Sequence, residues 1–312
     1  MKSSSNQKQY QSGFEKLKAG KLDFKKGIQM QKFKEAAMKA VFLLCACASV
    51  ISVALICIFL FINGFPTIAE IGVFKFLLGT KWKPLQDLYG ILPQIVGSIY
   101  VTAGAIIIGV PIGILCAVYM AKFCPKRIYR FMKPMVDLLA GIPSIVYGFF
   151  GLVVIVPVMR SLFGGSGKSV LTASVMLGIM ILPTIISVSE SAIRAVPDSY
   201  YEGALALGAT HERSVFAATL PAAKSGISAG VILGIGRAVG EAMAVSMVAG
   251  NQAIIPSSIL SGVRTLTTNI VLEMGYAADL HRRALIATAV VLFVFILIIN
   301  LLFSLVKRSD SV

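Results

Sequence analysis

Apolar residues run together in long blocks along this chain, with short polar segments between them. Blocks near residues 38–62, 92–121, 135–159, 169–193, 222–249 and 284–306 are each long enough to cross about 30 Å of hydrocarbon at about 1.5 Å per helical residue. Lipid offers a backbone no hydrogen-bond partner, so a spanning segment must be a helix or part of a closed barrel. Blocks this long and uniform are not the alternating ten-residue strands of a barrel. The pattern predicts an all-α polytopic membrane protein with six transmembrane helices. The first block begins near residue 37 and is too long for the apolar core of a cleavable signal.

Composition agrees with lipid as the main solvent: 57% of the 312 residues are hydrophobic and 14% are charged. The formal net charge of +15 raises the question of nucleic acid. That reading needs a basic patch on a folded soluble surface, whereas these bases lie between apolar blocks, so no nucleic-acid partner is expected. Of the 29 Lys and Arg residues, twenty fall in the two terminal segments and the alternate loops that share their side. Eight fall in the opposite loops, and Arg237 lies within the fifth block. The excess of positive charge predicts a multi-pass membrane protein with both termini in the cytoplasm. The five cysteines form no CxxC pair, four of them lie inside apolar blocks, and they read as small hydrophobes.

The expected organisation is a basic N-terminal segment (1–36), a first span with an outer loop (37–91), a core (92–306) and a short tail (307–312). The N-terminal segment mixes lysines with Phe14, Leu17, Leu22, Phe24 and Ile28, which suits either an interfacial helix on anionic headgroups or a solvated tail. Within the outer loop, Ile68 to Leu78 reads as a helix along the interface or as a lid packed on the bundle. Gly164 to Ser169 resembles the end of a phosphate-binding loop, but Leu162 stands where that motif needs glycine, so a plain turn is expected. His211 and His281 fall in different loops without neighbouring ligands, and no metal site is expected.

Two stretches carry chemistry. Residues 200–221 contain Tyr201-Glu202-Gly203-Ala204-Leu205-Ala206-Leu207-Gly208, nine further residues to Ala217, and then Ala218-Thr219-Leu220-Pro221. Good helix formers up to Leu207, a glycine suited to a left-handed turn, and a second short helix from His211 stopped before Pro221 predict a projecting helix-turn-helix. Such a knob suits docking into a groove on a soluble partner. The fifth block contains Gly236-Arg237-Ala238-Val239-Gly240-Glu241-Ala242-Met243-Ala244. Arg237 and Glu241, four residues apart, share one face of a continuous helix and are placed to pair. A charge inside a span faces a bundle interior or a water-filled route. A guanidinium suits a permeant oxyanion because it stays protonated and offers a planar fork of donors. A purely structural ion pair is the alternative. Glycines 226, 230 and 234 form a small-residue stripe for helix packing, as do 236 and 240. In the third block Pro143 removes a backbone donor and kinks the helix beside Ser144 and Tyr147, two further residues that could shape a route.

The first stretch resembles the conserved loop of ABC importer permeases, Glu-Ala-Ala, three residues, Gly, nine residues, Ile-x-Leu-Pro, with Gly203 and Ala218 as departures. The second, with Tyr89-Gly90-Ile91-Leu92-Pro93, Pro111-Ile112-Gly113 and Ile142-Pro143-Ser144-Ile145-Val146-Tyr147-Gly148, resembles the permeases of the phosphate-specific ABC system, of the PstC type, over roughly residues 65–306. Ala242 departs from the threonine usual there, and the N-terminal tail is longer and more basic than the family's. The resemblance implies the type I ABC importer transmembrane fold and a non-catalytic permease subunit for inorganic phosphate. Another oxyanion such as sulfate, molybdate or phosphonate, or a phosphate-sensing role toward a membrane kinase, are the rival functions. It implies a pathway at Arg237 and Glu241 and a coupling helix at Tyr201, Glu202, Gly203, Ala204, Gly208, Ala209 and Thr210. It implies no cofactor in this chain, with MgATP bound by two PstB-like ATP-binding subunits. A second, PstA-like permease and an extracytoplasmic PstS-like phosphate-binding protein complete the expected partners, with membrane lipid around them.

Overall fold

A computed structural model describes residues 3–309, with side chains described from Lys34 to Leu301 apart from residue 36. The side chains of residues 1–33, on which the choice between interfacial helix and solvated tail depends, lie outside the described residues, as do tail residues 310–312. The chain divides into two units, residues 1–59 and 60–312. In the first, the helix α1 (Ser3–Ile71) is exposed on nearly all sides over its described residues up to Phe59.

The second unit begins with the end of α1 and continues through α2 (Val73–Leu78), a two-stranded hairpin of β1 (Trp82–Lys83) and β2 (Leu88–Tyr89), and α3 (Leu92–Val118). A π-helical turn, Tyr119–Phe123, extends α3 before α4 (Lys126–Gly141) and α5 (Ser144–Phe150). A second π-turn, Gly151–Ile155, leads into α6 (Val156–Phe163), and α7 (Val170–Arg194) follows. Then come α8 (Asp198–Ala206), α9 (His211–Ser214), a π-turn at Val215–Thr219, α10 (Leu220–Gly240), α11 (Met243–Val248), α12 (Leu266–Glu273) and α13 (Asp279–Ser309).

Six helical segments among the described residues are long and apolar enough to span: Ala37–Ile71, Leu92–Phe123, Ser144–Phe163, Val170–Arg194, His211–Gly240 and Asp279–Leu301. The number is as expected, and four boundaries move by nine residues or more. The first span runs to Ile71, so the expected interfacial helix at Ile68 is in part the end of α1; Gly72, at φ +94°, makes the turn into α2. There Phe76 is buried while Phe74 is exposed. The third span starts at Ser144 rather than near 135, because Pro143 breaks the helix outright instead of kinking it. The fifth begins at His211 rather than 222 and ends at Gly240 rather than 249.

The core centres on α7, the most enclosed span, with Met176, Leu177, Met180, Ile181 and Ile185 buried against α3 and α10. Small residues set the α7–α10 spacing: a Cβ on Gly226, Gly230 or Gly234 would fall within 3 Å of Ala192, Ser189 or Ile185 respectively. Gly236 and Gly240, expected to pack likewise, have no neighbour within 4 Å of such a Cβ. A second cluster, with Phe76, Trp82, Tyr89, Ile91, Leu266 and Leu285, ties the hairpin to α12 and α13. At its edge the buried Glu273 accepts hydrogen bonds from Trp82 Nε1 (2.8 Å) and Arg264 Nη1 (2.5 Å) and pairs with His281 Nε2 at 2.8 Å. The 164–169 segment is the expected turn, and Ser169 Oγ caps α7 by accepting from the Thr172 N–H.

Candidate functional site

Two interrupted helices meet in the middle of the bundle. On one side α4 ends at Gly141, Pro143 supplies no N–H, and α5 restarts at Ser144. The Tyr147 hydroxyl donates to the Leu139 carbonyl at 2.8 Å, which bridges the break, so this buried residue is a stitch between two helices. Ser144 lies half-buried in the first turn of α5. On the other side α10 stops at Gly240 and Glu241 takes an extended conformation, φ −74° and ψ +126°. Its carboxylate turns forward to accept from the Ala244 N–H at 3.0 Å, and its carbonyl accepts from the Thr267 hydroxyl at 2.9 Å. The backbone polar groups freed by the break are thereby partly satisfied, as a gap inside a membrane requires. The short α11 that follows packs on α5, where Gly148 admits it: a Cβ there would stand 2.8 Å from both Ala244 Cα and Met247 Sδ.

The break changes the expected relation of Arg237 and Glu241. Because the helix ends between them, the carboxylate faces α11 rather than the preceding turn, and the two form no ion pair. Arg237 is half-buried, and its Nη1 donates to Thr184 Oγ1 of α7 at 3.4 Å. Thus the structure brings Arg237, Tyr147, Ser144 and Glu241 to the two breaks, but the bonds among them differ from the expected pairing. Thr184 was not legible as a partner, since nothing in the sequence marks which α7 hydroxyl meets α10.

At the end of the bundle that carries α8 and α9, residues 198–214 form the expected helix-turn-helix. Gly208 takes φ +84°, the left-handed turn read from sequence, and Thr210 Oγ1 caps α9 by accepting from the Arg213 N–H at 3.4 Å. The second helix is not stopped before Pro221. The π-turn at Val215–Thr219 lets α9 run into α10, with Pro221 just beyond the turn. Tyr201 is turned inward: its hydroxyl lies 2.7 Å from His211 Nδ1, and the same imidazole meets the Phe123 ring edge-on at 4.8 Å between centroids. Ala204 and Ala209 are half-buried, whereas Glu202, Gly203, Gly208 and Thr210 are exposed. Beside them Leu205 is exposed and Leu207 is 91% exposed, an apolar tip that the sequence pattern, which treats leucine as core, concealed.

Residues 109–309 match the family described as binding-protein-dependent transport system inner membrane component. The chain is 37% identical to the probable ABC transporter permease protein YqgH of Bacillus subtilis, covering 88% of this chain and 93% of that protein. It is 33% identical to the phosphate transport system permease protein PstC of Haemophilus influenzae, covering 85% and 90%. Its fold is similar to a chain of the inward-facing MetNI methionine ABC transporter, with a TM-score of 0.58 and 20% identity over 74% of this chain and all of that one.

Proposed function

The chain belongs to the family of binding-protein-dependent transport system inner membrane components, and we propose that the route this member forms carries inorganic phosphate. It is a multi-pass, non-catalytic permease subunit of an ABC importer, and such a transporter includes ATPase and binding-protein partners. Phosphate is favoured by relatives named phosphate permeases that align over most of this chain. The single observation that carries the reading is the Arg237 guanidinium: half-buried beside two broken helices, held by one hydroxyl and by no carboxylate among the described residues. A planar, permanently charged fork so held keeps donors available to a passing oxyanion. Glu241, capping α11, contributes by fixing the break that follows Arg237 in the chain.

The excess of Lys and Arg on the side of the termini and of α8–α9 favours a cytoplasmic location for both. The exposed surface of Glu202, Gly203, Leu205, Leu207 and Gly208 then faces the cytoplasm and docks an ATP-binding subunit, which holds MgATP. A second permease of the same family completes the route, and the external binding protein delivers phosphate at the opposite end.

The test is ATP-driven uptake of radiolabelled phosphate by the assembled transporter in proteoliposomes. Arg237→Gln is expected to lower uptake at least tenfold in a complex that still assembles, with excess sulfate or molybdate leaving wild-type uptake unchanged. Full uptake by Arg237→Gln, or its abolition by sulfate, contradicts the reading.

A further inference from the structure

Two helices on the α8–α9 side of Arg237 have polar faces that the described residues leave partly exposed. From Thr184 onward the buried side of α7 is formed by residues such as Ile185, Ile186 and Ile193, while Thr184, Ser187, Ser191 and Arg194 are partly or fully exposed. Their spacing of three, four and three residues puts all four on one face. The helix α4 packs beside it through a narrow seam of Met132 and Val136. On one flank of that seam lie Lys126, Arg130, Lys133 and Asp137; on the other lie Ile128, Phe131, Met135 and Leu138, all exposed. A helix with one bare apolar flank and one bare polar flank needs hydrocarbon against the first and water against the second.

The polar flank of α4 adjoins the polar face of α7. Asp137 Oδ1 accepts from Ser187 Oγ at 3.4 Å, and Lys133 Nζ reaches Glu190 Oε2 at 3.2 Å. Glu190 also accepts from Tyr129 Oη at 3.0 Å and pairs with Arg194 Nε. The Glu190 side chain is 2% exposed but that of Lys133 is 26%, so the carboxylate lies beneath and the ammonium fronts the open side. At the inner end of the same face Thr184 holds Arg237. From Thr184 to Arg194 the face runs about 15 Å at 1.5 Å per residue, half the thickness of the hydrocarbon.

We propose that this groove is the cytoplasmic half of the anion's route, with Lys133 as a second cationic station beyond Arg237 and Glu190 as its buried counter-ion. The inference rests on the reading of Arg237 as an oxyanion site and extends it to residues that reading does not use. Lys133 has three donors, of which Glu190 and Asp137 engage two, which leaves one for a hydrated phosphate ion. Glu190 and Asp137 together keep the station from holding the anion permanently. Arg130 and Lys126, one and two turns toward the cytoplasm on the same flank, continue the positive lining.

Thiol labelling of the assembled transporter in native membranes, with the five native cysteines replaced, tests the groove. Ser187→Cys and Ser191→Cys should react from the cytoplasmic side with membrane-impermeant thiosulfonates, the anionic reagent several-fold faster than a cationic one of similar size. Leu138→Cys, on the apolar flank, should not react. Lys133→Gln should reduce the anionic preference several-fold, and Lys133→Arg should restore it. Failure of both serine positions to label in an intact complex, as a face sealed against the second permease would give, or labelling without charge preference, overturns the proposal. Inorganic phosphate is expected to slow the labelling; slowing by sulfate in its place would keep the groove and discard phosphate as the substrate.

Discussion

Glu273 shows how much one buried carboxylate organises. It sits among Trp82 of the hairpin, Arg264 ahead of α12 and His281 of α13, and it neutralises a guanidinium whose side chain is only 18% exposed. Removing one partner of a buried ion pair leaves the other charge uncompensated, which costs about 3–5 kcal/mol. Glu273→Gln should therefore lower the thermal unfolding midpoint of the detergent-solubilised protein markedly, whereas Glu70→Gln, whose bridge to Arg283 is half-exposed on both sides, should change it little. A midpoint unmoved by Glu273→Gln would show that the knot carries no stability. Nothing in the sequence marked Glu273 as such a centre; Arg237 and Glu241 were legible as charges inside an apolar block, but their partners were not. Arg237 and Glu241 stand four apart, and on an unbroken helix that spacing predicts a pair, yet the chain turns between them and gives each a different partner, Thr184 and the Ala244 amide.

The breaks themselves belong to the scale of elements, and they are what periodicity reads least well. Residues 238–249 are small or apolar on both sides of Glu241, so hydropathy runs through the gap and a single span to 249 is the natural expectation. The gap is fixed by tertiary contacts: the Thr267 hydroxyl on the Glu241 carbonyl, and the close approach of α11 to α5 at Gly148. Pro143 announced an irregularity, but whether a proline kinks or interrupts a helix depends on what satisfies the freed carbonyls, here Tyr147 on Leu139. The π-turns at 119–123, 151–155 and 215–219 have no sequence signature at all, and the last of them turned an expected helix stop at Pro221 into a continuous helix. By contrast, the number of spans, the stripe at Gly226, Gly230 and Gly234, and the turn at Gly208 all follow from local composition. Gly148 gives the element-scale test. A methyl there collides with Ala244 Cα as well as with the movable Met247 Sδ, so backbone must shift. Gly148→Ala should cost about 1–3 kcal/mol in unfolding measurements and displace α11 enough to lower uptake; unchanged uptake and stability would mean that the two broken helices are not held in register by that contact.

For the whole molecule the question is how events in a soluble subunit reach two broken helices. The knob of α8 and α9 is braced from within: Tyr201 bonds His211, Phe123 packs on that imidazole, and Lys122 lies over the Tyr201 ring at 5.7 Å. The bracing ties the knob to the end of α3, and the π-turn joins it without interruption to α10, the helix that carries Arg237. A push on the knob is therefore delivered along a continuous helix to the edge of the break at Glu241. On the proposed reading the exposed tip receives the push, and Leu207, 91% exposed, is the residue whose exposure packing among the described residues does not explain. Leu207→Asp should leave the fold intact, because substitution at so exposed a position changes stability by no more than about 0.5 kcal/mol. Burying the new charge in an apolar groove of the ATP-binding subunit should weaken docking by at least a factor of ten, about 1.4 kcal/mol. Co-purification of that subunit with the permease should fall accordingly, and ATP-driven uptake with it, while the unfolding midpoint stays put. Undiminished co-purification would move the docking surface off the tip and onto the flank formed by Glu202 and Gly203.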